Sequence, residues 1–280
     1  MRRPSHFALC SAALALTVAG CADTATRLTS PTGASFIVNG QPTGSAYGNV
    51  GALLIDWDKN GKINGDDELC TGSLITPTVF LTAAHCVYPD PITPLGIQFY
   101  VSFSPDLYAK SMKYITATGY VWDPAYGHDQ ANLHDLALVF LPKNSTSGIT
   151  PLQLPPAGYL DQLKASGAIN SLTFVNVGYG TSSTQTGIPG FPYDGQRSYS
   201  YSEFMGLQPT WLGLLMNNSA TGLGGDCYGD SGGPKFINGN SNMIVATVTT
   251  GDYNCRATTW DWRLDTPDAR GFLGNYVKLP

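Results

Sequence analysis

The stretch Cys227-Tyr228-Gly229-Asp230-Ser231-Gly232-Gly233-Pro234 constrains this chain more than any other. Three glycines surround one serine. Glycine accepts positive φ angles that other residues resist, so such a loop can turn sharply and aim several backbone N–H groups at one spot. A reactive serine needs that arrangement. Its hydroxyl must stand clear of the backbone, N–H donors must meet the oxyanion formed when it attacks a carbonyl, and little bulk can stand in the substrate's way. The plainer reading is a glycine-rich turn between strands. What separates the two is whether the rest of the chain supplies a histidine base, an orienting carboxylate and a rigid scaffold.

Two other segments supply those groups. Ala83-Ala84-His85-Cys86 ends an apolar run that begins at Val79. In His134-Asp135-Leu136-Ala137-Leu138-Val139-Phe140-Leu141 a carboxylate stands directly before a strand of buried type. An unpaired buried carboxylate is costly, and an imidazole N–H is a fitting partner. The octet resembles the nucleophile loop of chymotrypsin-fold (trypsin-like, S1) serine peptidases of the bacterial secreted type. The His85 and Asp135 segments look like that family's base and acid segments, and they occur in the family's order. The resemblance runs from about Ile37 to the C-terminus. It implies an all-β fold of two six-stranded antiparallel β-barrels, with the site in the cleft between them and a short C-terminal helix. It also implies roles: Ser231 as nucleophile, His85 as general base, Asp135 as orienting acid, and the N–H groups of Gly229 and Ser231 as oxyanion hole. His134 reads as a surface residue. His128 reads as a loop residue, since no metal-spaced partner accompanies it.

Composition fits such a fold. Hydrophobic residues make up 42 %, enough for a sizeable core, while charged residues are only 12 % and Gly and Pro number 32 and 19. That is the balance of a turn-rich exported β protein. A net charge of −5 leaves no basic footprint for nucleic acid. Strand-like runs lie at Val50 to Ile55, Leu69 to Ile75, Val79 to Cys86, Ile97 to Phe103, Tyr114 to Val121, Leu172 to Gly180, Met243 to Thr250 and Trp260 to Leu264. Lys143 to Pro156 reads as the connection between barrels of about 37–150 and 151–280. Thr266 suits a helix N-cap and Pro267 the first helical position, with Ala269, Phe272, Leu273, Tyr276 and Val277 on one face.

The ends and cysteines point outward from the cell. Arg2 and Arg3 precede a short apolar run, so residues 1–21 read as an export signal. Val18-Ala19-Gly20-Cys21 looks like a lipobox, with Cys21 as lipid anchor; ordinary signal cleavage nearby is the other reading. Residues 22–36 read as a linker or pro-segment. Ile37-Val38-Asn39-Gly40 is similar to the start that the family exposes by proteolysis, whose new ammonium then pairs with the acid before the nucleophile, here Asp230. Phe36 is neither Arg nor Lys, so trypsin-like self-cleavage is not expected at that bond. By the same resemblance Cys70 pairs with Cys86 and Cys227 with Cys255; the sequence by itself allows three connectivities. Each bridge would add on the order of 3 kcal/mol, and both need an oxidising compartment, secreted or periplasmic.

The substrate region is expected at Gly225, Asp226, Thr249, Thr250 and Gly251. Thr249-Thr250-Gly251 stands at the family's substrate-pairing edge, where a peptide adds as an antiparallel strand. The trypsin branch carries its pocket acid six residues before the serine. Here that residue is Gly225, and Asp226 is adjacent. The expectation is a modest preference for Arg or Lys through Asp226, or for an apolar side chain if Asp226 turns away. The expected function is a monomeric, cofactor-independent serine endopeptidase acting on peptides or proteins. The alternatives are a catalytically silent binding protein of the same fold on the cell surface, or an esterase-like acyl hydrolase.

One motif stands apart. Asp56-Trp57-Asp58-Lys59-Asn60-Gly61-Lys62-Ile63-Asn64-Gly65-Asp66-Asp67 resembles an EF-hand-type calcium loop. Structural Ca²⁺ would be held by the side chains of Asp56, Asp58, Asn60, Asn64 and Asp67 and by the Lys62 carbonyl. The strands on both sides suit a β-hairpin tip with Asn60-Gly61 as its turn. Both readings stand open on the sequence.

Overall fold

The computed structural model describes residues 37–56, 68–88, 97–181 and 195–280. The export signal, Cys21, the segment before Ile37 and the calcium-like residues Asp58, Asn60, Lys62, Asn64 and Asp67 lie outside them. Asp56 is described and buried at the end of a strand.

The first half builds one curled sheet. Its strands are β2 (Val50–Asp56), β3 (Glu68–Thr76), β4 (Val79–Thr82), β5 (Gln98–Ser102), β6 (Ile115–Thr116), β7 (Gly119–Trp122) and β8 (Ala137–Phe140), while β1 (Gln41–Pro42) leaves to join the other half. The order is β6-β5-β2-β3-β4-β8-β7, all antiparallel. Every residue of β2 is buried, as its uninterrupted apolar run requires. The run Tyr114 to Val121 divides into two short strands. Between them Ala117 N–H reaches Phe99 O at 2.9 Å and Thr118 N–H reaches Phe140 O at 2.8 Å, so the chain bridges the sheet's two ends.

The second half closes a ring. After helix α1 (Tyr159–Ala165) come β9 (Thr173–Gly178), β10 (Ser198–Leu207), β11 (Trp211–Leu215), a one-turn α2 (Asn218–Thr221), β12 (Pro234–Ile237), β13 (Asn240–Gly251), β14 (Thr258–Arg263) and α3 (Pro267–Leu273). The order β10-β11-β14-β13-β12-β9 returns to β10, and β1 adds to its outer edge. Each barrel therefore has six strands once the two-residue strands β1 and β6 are set aside.

Each barrel has its own apolar filling, around Leu53, Phe80 and Val139 in the first and Phe174, Leu214 and Val245 in the second. A third cluster joins them, in which Leu81, Leu138, Val177, Trp262, Phe272 and Leu273 pack together. Burying side chains of this size contributes about 1.5–3 kcal/mol each, so the relative placement of the barrels is held by core-quality packing. Helix α3 starts as the sequence suggests: Thr266 Oγ1 accepts from Ala269 N–H at 3.3 Å and Pro267 takes the first position. Its buried face is Ala269, Phe272 and Leu273; Tyr276 lies past the helix end and is exposed.

Candidate active site

The register of two strands assembles the histidine and the acid. β4 and β8 run antiparallel with Thr82 opposite Ala137. His85, three residues beyond Thr82 in a single 3₁₀ turn (Ala84–Cys86), and Asp135, two residues before Ala137, emerge at the same end. Asp135 is fully buried and holds His85 twice. Oδ1 accepts the His85 backbone N–H at 2.9 Å, and Oδ2 lies 2.8 Å from Nδ1. The imidazole is 31 % exposed and lines the cavity. The Cys70–Cys86 disulfide ties this turn to β3, and Cys227–Cys255 crosses the rim of the cavity.

The Ser231 loop is shaped by glycine and by one threonine. Gly229 and Gly232 have φ of 95° and 78°. A Cβ on Gly232 would meet the Ala83 nitrogen and the Thr71 oxygen at 2.6 Å, so the loop presses on the first barrel where only glycine fits. Thr71 of β3 holds the loop from below. Its N–H donates to Ser231 O at 2.9 Å and its hydroxyl to Gly229 O at 2.8 Å; the hydroxyl also accepts from Tyr179 N–H at 3.1 Å. Neither Gly229 nor Ser231 spends its N–H on another backbone group among the described residues. Sequence reasoning missed Thr71; a hydroxyl beside Cys70 was the available signal.

Asp230 is sealed under the loop. Gly180 N–H reaches its Oδ1 at 2.8 Å and Cys227 N–H its Oδ2 at 2.9 Å. A Cβ on Gly178 or Gly180 would strike this carboxylate, which is why Val177-Gly178-Tyr179-Gly180 has its two glycines. Burial pushes Asp230 up to about 8, and the Asp226 carboxylate adds to the effect. Ile37 is fully buried in the uncut chain, where it carries no free ammonium, and Gly225 N–H bonds to Val38 O at 3.1 Å. The N-terminal segment thus docks beside the serine loop five residues before Asp230.

His85, Ser231, Gly229, Asp226, Thr249, Thr250 and Gly251 line one cavity of about 360 Å³. Gly225 is not among its lining residues: Met216 fills the space beside it. The sequence missed Met216, Tyr228 and Thr259, which complete the walls. Thr250 and Gly251 are exposed at the end of β13, beyond its pairing with β12, which stops at Thr247. His134 departs from the expected surface position. It is 17 % exposed, and its Nδ1 lies 2.9 Å from Asp123 Oδ2. His128 is exposed.

A two-barrel chain with this cleft has the chymotrypsin fold, and a solved structure of HL collagenase shows the same architecture. It superimposes with a TM-score of 0.61 at 18 % identity, covering 87 % of this chain and 100 % of that one. The trypsin family model matches residues 48–260. The chain belongs to the trypsin family of serine endopeptidases. Among its relatives are snake venom serine proteinase 14 of Crotalus adamanteus, 30 % identical over 66 % of this chain and 68 % of that one, and a collagenase of Hypoderma lineatum, 26 % identical over 64 % and 65 %. The chain thus spans about two thirds of the length of these relatives.

Proposed function

We propose that this chain is a secreted serine endopeptidase that cuts peptide bonds through an acyl-enzyme on Ser231. The observation that carries the reading is the double hold of buried Asp135 on His85, at the lip of the cavity that Ser231 also lines. In this mechanism Nδ1 carries a hydrogen toward Asp135, which leaves the Nε2 lone pair to take the Ser231 proton. The Ser231 oxygen bonds to the scissile carbonyl carbon, and the carbonyl π electrons move onto its oxygen. The Gly229 and Ser231 N–H groups donate to that oxyanion. His85 then gives its proton to the leaving nitrogen as the C–N bond breaks. Water repeats the sequence and releases the acid. Asp135 stays ionised throughout and offsets the imidazolium. No step calls on a cofactor.

The segment Thr249 to Gly251, beyond the end of the β12 pairing, suits pairing with an extended peptide, which favours peptides over simple esters. The two disulfides fit an oxidising compartment, as does kinship with venom proteinases. Residues 1–21 act as export signal in this reading, and cleavage after Phe36 frees the Ile37 ammonium for Asp230. Ser231→Ala tests the mechanism. Turnover should fall by about 10⁶, with secretion and melting temperature retained. A Ser231→Ala protein that keeps near wild-type turnover refutes it.

A further inference from the structure

The inference rests on the peptidase reading and concerns which side chain the cavity accepts. A buried charge cluster adjoins the cavity. Lys235, in β12, is fully buried. Its ammonium donates to Asp226 Oδ2 and, at 2.7 Å, to Asn176 Oδ1, and it lies 3.5 Å from Asp261 Oδ1. An ammonium has three donors, and these three acceptors use them. Asn176 is fixed in this role, because its Nδ2 donates to Ser200 Oγ at 3.0 Å and Ser202 Oγ at 2.7 Å. Asp226 is the cluster member that reaches the cavity wall. Its second oxygen, Oδ1, is buried and meets no hydrogen-bond partner among the described residues, so Lys235 alone answers its charge.

The position six residues before Ser231 is closed as well. A Cβ on Gly225 would collide with Met216, so no acid fits there, and Met216 presents a thioether side chain to the cavity instead. Val248 and the Cys227–Cys255 bridge add apolar wall.

We propose that Lys235 is a specificity-determining residue: by holding Asp226 it fits the cavity to an uncharged, apolar side chain on the acyl side of the scissile bond. A cation brought to Asp226 would enter beside the Lys235 ammonium, and like charges repel strongly where water is excluded. Burial also pushes Asp261 up to about 8, against the pull of Lys235 and with a push from Asp226. That shift favours the protonated form of Asp261, and Lys235, which donates to Asp226 Oδ2, matches the Asp226 charge without a substrate cation.

The test compares peptides that differ only in that residue: Leu, Phe, Arg and Lys. At pH 7 the wild type should cleave the Leu and Phe peptides with kcat/KM at least about tenfold above Arg and Lys, and benzamidine, a cationic mimic of an arginine side chain, should not compete at millimolar concentration. Lys235→Met/Asp261→Asn removes the cation and one carboxyl together, leaving Asp226 as the one ionisable member of the cluster. Its Arg-to-Leu ratio should rise at least about tenfold. A wild type that prefers Arg or Lys overturns the proposal, as does a folded double variant with an unchanged ratio. If the variant does not fold, the wild-type profile and benzamidine decide alone. Labelling of Ser231 by a sulfonyl fluoride separates the two levels. A labelled enzyme that prefers Arg overturns only the specificity proposal, whereas failure to label overturns the peptidase reading and this proposal with it.

Discussion

Thr71→Val should weaken both the fold and the reaction, and the size of each effect follows from two hydrogen bonds. Valine has nearly the shape of threonine, so the packing around its methyl survives. The substitution removes the hydroxyl that donates to Gly229 O at 2.8 Å and accepts from Tyr179 N–H at 3.1 Å. Both partners are buried at the barrel junction, and each polar group left unpaired costs about 1–3 kcal/mol. The expected loss is about 2–6 kcal/mol, or about 4–24 °C in melting temperature for a chain of this size. The kinetic effect comes through Gly229. Its carbonyl is clamped while its φ is 95°, and in the proposed mechanism its N–H meets the oxyanion. Freeing the carbonyl loosens that N–H without deleting it, so kcat should fall about tenfold, less than the 10²–10³ expected when a donor is lost. KM should hold within about threefold, because the cavity walls are untouched. Thr71→Ser keeps the hydroxyl and should recover most of both losses. Melting curves and peptide hydrolysis on the three proteins decide the matter. If Thr71→Val matches Thr71→Ser in both, Thr71 does not hold the loop.

Two further outcomes are expected. Burial raises both Asp261 and Asp230 to about 8 in the uncut chain, so the folded state keeps protons that the unfolded state releases near pH 4; their contribution to stability should decline as pH rises from about 4 to 8 and level off above. Melting temperature against pH should show a shallower decline in Asp261→Asn than in wild type, and equal slopes would mean that Asp261 is ionised in the fold. Activity should also require a free Ile37: its ammonium would give Asp230 a direct ion pair, which it does not make among the described residues, and mass spectrometry of fully active enzyme still carrying Phe36 would exclude this.

The segments legible in the sequence are those whose signal is local. The runs Val50 to Ile55 and Met243 to Thr250 form strands β2 and β13, and Thr266-Pro267 starts α3. The cysteine pairs follow the family pattern. β10 was not legible, because its periodicity is inverted. In Ser198-Tyr199-Ser200-Tyr201-Ser202 the serines are buried and the tyrosines lie partly exposed, since the inward positions meet the side chain of Asn176 instead of an apolar core. α1 was hidden for a different reason. Gly158 provides no side-chain cap, and the Leu160 N–H is met by Asp265 Oδ2, 105 residues away. A cap supplied from that distance leaves no trace near the helix.

The same distinction runs through the site. His85, Asp135 and Ser231 stand in short motifs because each needs a particular backbone turn, and a turn is written by its immediate neighbours. The polar groups that support the loops around them are satisfied across the fold. Thr71 reaches Gly229 over 158 residues, and Asn132, whose amide touches His134, reaches Asp268 over 136. Arg197, fully buried, donates to the carbonyls of Val50 and Phe103 in the other barrel. Buried charges persist only with such partners, since an unpaired one costs several kcal/mol. A lysine in a strand as short as Pro234–Ile237 therefore implies an acid beside it, though the sequence cannot say which. That acid is Asp226. Position along the motif made Asp226 a candidate anchor for a substrate cation, and its actual partner gives it a different task. Chemistry is carried by local sequence; selectivity is set by side chains that meet only after folding, and has to be read from their contacts.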